Sequence, residues 1–320
     1  MSVVLSNSLP APVSRSDPTK SAWQVPELAA QLGYSGCSLR LGKFGREVCV
    51  EKRAIGLHAV RLQRQMVKQQ QAQEQAHRSG KLAFIHIPEL YDQCWCGDGA
   101  YVVRMEYLSF SSCLRFFAIA SRPRIDQTMA MLIAYINANL ANSPLQLVAG
   151  SHFAAKLDAI ESALATSGQL SAYSHTLKRV RQRLCAPLLL PVGQAHGDLT
   201  LSNMMIASDA SQIGLFDFLD GYLESPLIDI AKLRQDTRFH WSLCLAEEAF
   251  ERSRLEPILA YMDRFLLTHF KHHEWMCHLD LIEAINLLRI VPYVGREPGM
   301  ASRSHRVHHL LTQALTTLGF

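Results

Sequence analysis

The sequence predicts an α+β fold with two lobes, a small and mainly β N-lobe that contains one long helix and a larger, mainly α C-lobe. Strand-like alternation with β-branched residues falls between residues 38 and 108, whereas helical patterns dominate from residue 113 onward. The chain has 320 residues, a length that favours about two domains, and 48% of them are hydrophobic. That composition is sufficient for a sizeable buried core.

Composition and pattern divide the chain into three expected segments. Residues 1–22 are rich in Ser, Pro and small residues and are expected to form a flexible tail. The N-lobe is expected over residues 23–108, beginning with a short helix near 25–32, and the C-lobe over residues 109–320. The boundary is placed where the last predicted strand of the sheet ends.

A loop with two glycines precedes the first predicted strand. Gly33, Ser35 and Gly36 combine permissive backbone with a hydroxyl group, and the backbone of such a loop can approach phosphate groups closely. A tight turn that leads into a sheet explains the same residues equally well. Both interpretations stay open on this segment alone.

A second predicted strand ends at Lys52, and a long helix follows it. Residues 47–52 alternate in polarity and are partly β-branched, and residues 57–78 contain Gln, Arg, Lys and Ala without Pro or Gly. Lys52 can act on a phosphate-bearing ligand from the strand end, or it can be an ordinary exposed lysine.

Two short motifs in the C-lobe carry the functional signal. His196-Gly197-Asp198 is followed by Asn203, and after a short apolar strand comes Asp217-Phe218. The spacing His-x-Asp-x-x-x-x-Asn is that of the kinase catalytic loop, and an Asp-Phe pair follows in the place of a metal-binding Asp-Phe-Gly. Two such motifs in the right order are far more specific than either alone.

Residues 196–236 resemble the aminoglycoside phosphotransferase and choline kinase group, which are small-molecule kinases built on the protein-kinase fold. Gly197 is that group's variant of a position where protein kinases carry Arg, and Pro226 and Asp229 match its segment leading into a helix. The resemblance implies a protein-kinase-like two-lobed fold, ATP and Mg²⁺ as cofactors, and a small-molecule hydroxyl acceptor.

The resemblance also implies roles for individual residues. Asp198 would orient the acceptor hydroxyl and accept its proton, and His196, the second catalytic candidate, would brace the loop more than transfer protons. Asn203 and Asp217 would hold Mg²⁺ against the phosphates of ATP. Asp229 would stabilise the catalytic loop or its helix through backbone contacts.

The nucleotide site is expected in the N-lobe. Lys52 would neutralise the α and β phosphates, and Glu74, which is the only acidic residue of the predicted long helix, would pair with it unless a Gln takes that place. The strand over residues 100–108 would end at a hinge, where backbone groups of Glu106 and Leu108 receive the adenine edge and Met105 lines the pocket. A purely structural sheet edge is the alternative for this segment.

The acceptor is less clearly indicated. Asp220, Glu224 and Asp236 lie near the transfer centre in sequence and could attract a cationic amine, although acidic residues at such positions also serve as helix caps or exposed charge. A weaker resemblance to phosphotransferases encoded among bacterial surface-polysaccharide functions suggests a sugar or polyol. Thr200 stands where protein kinases often have a lysine near the γ-phosphate, so that charge must come from elsewhere.

Other functional classes fit the sequence less well. The formal net charge of +4 is spread along the chain, so no nucleic-acid partner is expected, and no apolar run suits a membrane span. Eight cysteines without a regular framework indicate a cytoplasmic protein with reduced thiols. A protein kinase is disfavoured because no Ala-Pro-Glu follows Asp217, and a non-catalytic pseudokinase is the other alternative.

Overall fold

We describe residues 31–32, 36–246, 248–294 and 304–320 of a computed structural model. The tail expected over 1–22, and the loop residues Gly33 and Ser35, lie outside these residues. Most of the helix expected near 25–32 also lies outside the described residues. Its last two residues, 31 and 32, form a strand instead.

The elements are numbered in chain order. The strands are β1 Gln31–Leu32, β2 Ser38–Phe44, β3 Glu47–Ile55, β4 Ile85–His86, β5 Leu90–Trp95, β6 Ala100–Glu106, β7 Ser111–Ser112, β8 Leu145–Val148, β9 Leu188–Pro191, β10 Met204–Ile206 and β11 Ile213–Leu215. The α-helices are α1 Leu57–Ser79, α2 Cys113–Ile119, α3 Arg122–Ala141, α4 Ala154–Thr166, α5 Leu170–Arg183, α6 Pro226–Thr237, α7 Trp241–Leu245, α8 Arg252–Phe270, α9 Leu279–Ile290 and α10 Ser304–Thr317.

The N-lobe is built on an antiparallel sheet with the strand order β1-β2-β3-β6-β5. β2 and β3 form a hairpin whose turn contains Gly45, which has a φ of 61° that favours glycine. β3 then pairs with β6, so that Lys52 lies opposite Val103 in the middle of the sheet. The predicted strand over residues 47–52 is therefore a central strand of this sheet.

Helix α1 connects the two hydrophobic cores. It ends at Gly80, whose left-handed φ of 59° is typical of a helix C-terminus. Leu62 and Met66 from its first half pack into the small core under the N-lobe sheet. Ala72 and Ala76 from its second half pack into the large core of the C-lobe. The helix is consequently fixed to both lobes.

Helix α6 lies at the centre of the C-lobe, and all of its residues are buried. Ser225 caps its N-terminus by accepting a hydrogen bond from Leu227 N, and Pro226 occupies the first helical turn, where no backbone hydrogen bond is lost. α6 packs against α3, α8 and α9. Its charged residues must therefore find partners inside the protein, because an unpaired buried charge is costly.

A second sheet, with the order β4-β11-β10-β7, carries the predicted motifs. β10 and β11 form a hairpin in which Met204 pairs with Leu215, so the residues just outside this pair, Asn203 and Phe216, are neighbours. β4 joins β11 in parallel, although it precedes residue 108 in sequence. The division of the chain at residue 108 stays a prediction.

Candidate active site

The loop over residues 196–203 presents Asp198 and Asn203 beside each other. The Asn203 amide nitrogen donates to the Asp198 backbone oxygen at 2.9 Å and to the Asp198 carboxylate oxygen Oδ2 at 3.0 Å. Because the amide nitrogen of Asn203 is engaged in this way, its amide oxygen is the atom left to contact a cation.

Two buried carboxylates of α6 hold the backbone of this loop. Asp229 accepts hydrogen bonds from His196 N and Gly197 N, each at 2.8 Å. Asp236, seven residues later on the same helical face, accepts from Leu201 N at 2.6 Å. Burial raises the pKa of Asp229 to about 7 and that of Asp236 to about 6, while the N–H donors act in the opposite direction. Both ends of the loop are thus fixed to one helix.

Lys232 lies between these two carboxylates on α6 and is 2% exposed. Its ammonium nitrogen is 3.0 Å from Asp198 Oδ1, and the guanidinium of Arg289 is 3.8 Å from the same oxygen. Burial alone would raise the pKa of Asp198, but the positive charges of Lys232 and Arg289 bring it down to about 2. Lys232 therefore provides a buried positive charge beside Asp198. Its only sequence signal is its position three residues after Asp229 on a helix.

His196 is fully buried and is stacked on Phe218, with ring centroids 4.3 Å apart. Its Nε2 lies 3.0 Å from Phe216 O and its Nδ1 accepts from Asp198 N at 3.3 Å, a pattern that fits a neutral ring with the proton on Nε2. Burial lowers the pKa of His196 to about 4. Both ring nitrogens face backbone groups, so the geometry favours the bracing role over proton transfer.

Gly197 has a structural reason to be glycine. Its φ is 84°, and a Cβ at this position would lie 2.0 Å from the Leu219 backbone oxygen. Leu219 N in turn donates to His196 O at 2.9 Å. The loop over residues 196–203 and the segment after Asp217 therefore pack too closely for any side chain at residue 197.

Asp217 and Lys52, which are 165 positions apart, form an ion pair between the Asp217 carboxylate and the Lys52 ammonium. Asp217 has a left-handed φ of 61°, a conformation that Asp tolerates better than most residues. Lys52 is only 7% exposed, and burial lowers its pKa to about 8. Lys52 is thus not an exposed strand-end lysine.

The structure does not bring Glu74 to Lys52. The Glu74 carboxylate pairs with Arg78, one turn further along the exposed side of α1. In the described residues no hydrogen bond links the Lys52 ammonium to a Gln of α1, and the Gln69 amide nitrogen donates to Pro88 O at 3.0 Å. The face of α1 towards the site carries Lys68 instead, so the counter-charge of Lys52 comes from the C-lobe.

Lys68 links α1 to the segment that follows Asp217. Its ammonium donates to Leu219 O at 2.8 Å and to the Glu224 carboxylate at 2.6 and 2.9 Å. Glu224 is therefore paired with Lys68, although its side chain is 43% exposed, and Asp236 is buried against backbone donors. Asp220 is exposed, and the attraction of a cationic amine by these three residues stays a prediction.

The expected adenine hinge lies at the end of β6. Met105 is buried in the small core, and Glu106 N donates to Glu89 O at 2.8 Å. The Glu106 carbonyl and the Leu108 N–H are the groups that remain for an adenine edge. Gly36 is exposed with a φ of 73°, and a Cβ there would lie 2.7 Å from the His58 ring. Gly36 lies two residues before β2, in which Leu39 pairs with Lys52.

The donor set at the hairpin fits Mg²⁺. The Asp217 carboxylate and the Asn203 amide oxygen flank the same end of β10 and β11, and oxygen ligands of this kind hold Mg²⁺ when phosphates complete its shell. In the described part of the chain, no group of three or more His, Cys, Asp or Glu side chains could hold a metal alone. A Mg²⁺ ion held by these two oxygens would complete its shell with water molecules and phosphate oxygens.

Fold and site together define a kinase-type phosphotransferase that acts on hydroxyl groups. The chain belongs to the phosphotransferase enzyme family, whose model matches residues 58–265. The fold class and family predicted from the sequence are confirmed. The comparison with curated proteins finds no match.

No described helix has the length and apolar character needed to cross a membrane.

Solved structures of low sequence identity share the fold. A GDP complex of an aminoglycoside 2'-phosphotransferase of type IIIa has a TM-score of 0.59 at 14% identity and covers 94% of both chains. An aminoglycoside 3'-phosphotransferase of type VIII has a TM-score of 0.52 at 12% identity and covers 83% of this chain and 92% of its own. A thermostable mutant of an aminoglycoside phosphotransferase of type (4)-Ia was solved in a ternary complex with AMP-PNP and hygromycin B. It has a TM-score of 0.52 at 9% identity and covers 92% of this chain and 93% of its own.

Proposed function

We propose that the protein transfers the γ-phosphate of ATP, in a Mg²⁺-dependent reaction, to a hydroxyl group of a small molecule. The observation that carries the proposal is the convergence of Asp198, Asn203 and the Lys52–Asp217 pair, residues from both lobes that supply a base, oxygen ligands and a phosphate cation. Phosphoryl transfer requires these groups in one place.

Asp198 is the residue that would orient the acceptor hydroxyl and accept its proton. A pKa of about 2 keeps its carboxylate ionised at any working pH. Such a carboxylate is a weak base, but the loose transition state of phosphoryl transfer needs the proton removed only late. Aiming the hydroxyl is accordingly its main contribution.

Asn203 and Asp217 would hold Mg²⁺, which supplies charge neutralisation on the β and γ phosphates when bound. Lys52 would move its ammonium from Asp217 to the α and β phosphates. The Glu106 carbonyl and Leu108 N–H would bind the adenine edge, with Met105 behind them. Gly36 would belong to the loop that covers the nucleotide, together with Gly33 and Ser35.

The family and the fold neighbours support the nucleotide and the small acceptor. One similar structure is a GDP complex, and another is a ternary complex with AMP-PNP and hygromycin B. We further propose a cytoplasmic location, because all eight cysteines are free thiols and ATP is the expected donor.

The test is ADP release over a panel of small hydroxyl compounds, with casein as a protein substrate. Asp198→Asn is expected to lower kcat by about 10²-fold or more, because the hydroxyl loses its orientation and its proton acceptor. Asp209→Asn changes an exposed aspartate on the β10–β11 turn and serves as the matched control. Calorimetry should show that Asp217→Ala removes the Mg²⁺-dependent part of ATP affinity.

Three results would contradict the proposal. Turnover of casein alone would identify a protein kinase. Equal ATP affinity with and without Mg²⁺, in wild type and Asp217→Ala, would favour a pseudokinase. Absence of ATP binding would exclude the kinase function itself.

A further inference from the structure

Two cationic side chains contact Asp198, and the charge of Lys156 interacts with both of them and with Arg61. Lys232 of α6 and Arg289 of α9 lie 3.0 and 3.8 Å from Asp198 Oδ1. Helix α4, which carries Lys156, packs against α9 and against the short 3-10 helix Val291–Tyr293 that follows it. Arg61 lies on α1, seven residues before Lys68 and so on the same helical face towards the C-lobe. We call Lys156, Lys232, Arg289 and Arg61 the basic cluster.

The basic cluster is not neutralised within the described residues. Against its four cations stands one directly contacting carboxylate, that of Asp198, and neither Lys156 nor Arg61 forms an ion pair with any described carboxylate. Asp236 also acts on Lys232, but its oxygens accept backbone N–H groups. The charge excess next to the proposed catalytic base is therefore positive.

The environment of Lys156 agrees with this charge count. Burial and, after it, the positive charges of Arg289, Arg61 and Lys232 together lower its pKa to about 8. Three cations held near a half-buried ammonium repel each other, and the repulsion is relieved when an anion binds among them.

Two members of the basic cluster and the proposed metal ligand Asn203 approach different oxygens of the Asp198 carboxylate. Asn203 contacts Oδ2 of Asp198, whereas Lys232 and Arg289 contact Oδ1. The nucleotide phosphates belong with Asn203, Asp217 and Lys52. The anion that suits the basic cluster is therefore expected on the acceptor.

Resting on the function proposed above, we propose that the acceptor carries an anionic phosphate or carboxylate group in addition to the hydroxyl that is phosphorylated. Lys156 and Arg289 bind this group and Arg61 contacts it from the rim. Lys232 stays with Asp198. The similar structures named above are aminoglycoside enzymes, whose substrates carry protonated amines, and such amines would be repelled by this cluster.

The experiment compares acceptors of matched size and different charge by ADP release: glucose, glucosamine, glucose 6-phosphate and glucuronate. Anionic members should be used with at least about 10-fold higher kcat/KM than glucosamine, and their KM should rise with added salt because screening weakens the attraction. Comparison of glucose 6-phosphate with glucuronate shows whether a phosphate or a carboxylate is preferred. Preference for glucosamine or glucose without salt dependence overturns the inference and leaves the phosphotransferase proposal standing.

Variants separate binding from chemistry. Lys156→Met should raise the KM for the anionic acceptor about 10-fold with little change in kcat or in the KM for ATP, since Lys156 does not contact Asp198. Lys178→Met, an exposed lysine on α5, is the matched control and should behave as wild type. Arg289→Lys should retain more of the affinity than Arg289→Gln.

A binding measurement decides the inference if no panel member is turned over. Calorimetry with glucose 6-phosphate in the presence of Mg²⁺-ADP should show binding to wild type and at least about 10-fold weaker binding to Lys156→Met. Equal affinity for the two proteins, or no binding to wild type, overturns the inference. The phosphotransferase proposal is tested separately by Asp198→Asn.

Discussion

Lowering the pH from 7.5 to 4 is expected to remove about 3 kcal/mol of unfolding free energy that a His196→Gln variant does not lose. Burial lowers the pKa of His196 from 6.5 to about 4, so between these values the unfolded chain binds one more proton than the folded one. The stability contributed by the neutral ring is complete above pH 6.5 and is lost as the pH falls towards 4. The shift of about 2.5 units corresponds to about 1.4 kcal/mol per unit.

The structure explains why the charged ring is disfavoured. An imidazolium could no longer accept the hydrogen from Asp198 N, and it would lie in a buried site near the Lys68 ammonium. Glutamine is uncharged and retains a donor for Phe216 O. We therefore expect kcat of the wild type to fall only as the pH approaches 4, where the ring of the folded enzyme becomes charged, because Asp198 depends on this ring for its orientation.

The assay is urea unfolding, followed by tryptophan fluorescence, at several pH values between 4 and 7.5. His77→Gln, on the exposed end of α1, is the matched control, and its free energy of unfolding should change with pH as that of the wild type does. The free energy of unfolding of His196→Gln should depend less steeply on pH, by up to about 1.4 kcal/mol per pH unit. Parallel curves for all three proteins would refute the burial argument. If His196→Gln does not fold, an NMR titration of the wild-type ring with a midpoint near 6.5 would refute it too.

Two further substitutions test the links around the site. Lys68→Met removes the ammonium that ties α1 to Leu219 O and should raise the KM for ATP several-fold in steady-state kinetics; an unchanged KM would show that the link does not support the nucleotide site. Glu283→Gln removes a carboxylate 2.5 Å from the buried Arg234 and should cost about 3 kcal/mol in urea unfolding, against less than about 0.5 kcal/mol for Glu256→Gln in an exposed pair. Equal losses for the two variants would contradict the importance of burial.

Local sequence patterns were sufficient to predict the fold and the candidate residues of the loop over 196–203. The helix predicted over residues 57–78 spans 57–79, because glycines flank it and none interrupts it. Spacing alone selected Asp198, Asn203 and Asp217, since short-range order along the chain fixes how a loop presents its side chains. Lys52 was selected by its place at the end of a predicted strand.

Long-range packing was not legible in the sequence. Glu74 was chosen as the acidic residue of its helix, but the rotation of a helix about its axis is set by tertiary contacts, which turn Lys68 towards the site. Asp236 was interpreted either as a residue that attracts a cationic acceptor or as a cap or exposed charge, because its partner Leu201 N lies 35 positions earlier and is not visible in the sequence. Lys156 and Arg289 come from helices that share no sequence pattern, so their proximity could only be found in three dimensions.

The attachment of the catalytic loop to α6 has a consequence for local unfolding. Fixing the backbone of residues 196–203, which are mostly outside regular structure, costs about 1–2 kcal/mol per residue, or about 8–16 kcal/mol in all. Much of that cost is offset by Asp229 and Asp236 on a buried helix. The loop should consequently open only when α6 does, as one cooperative unit. Amide hydrogen exchange at His196, Gly197 and Leu201 is thus expected to be as slow as exchange within α6.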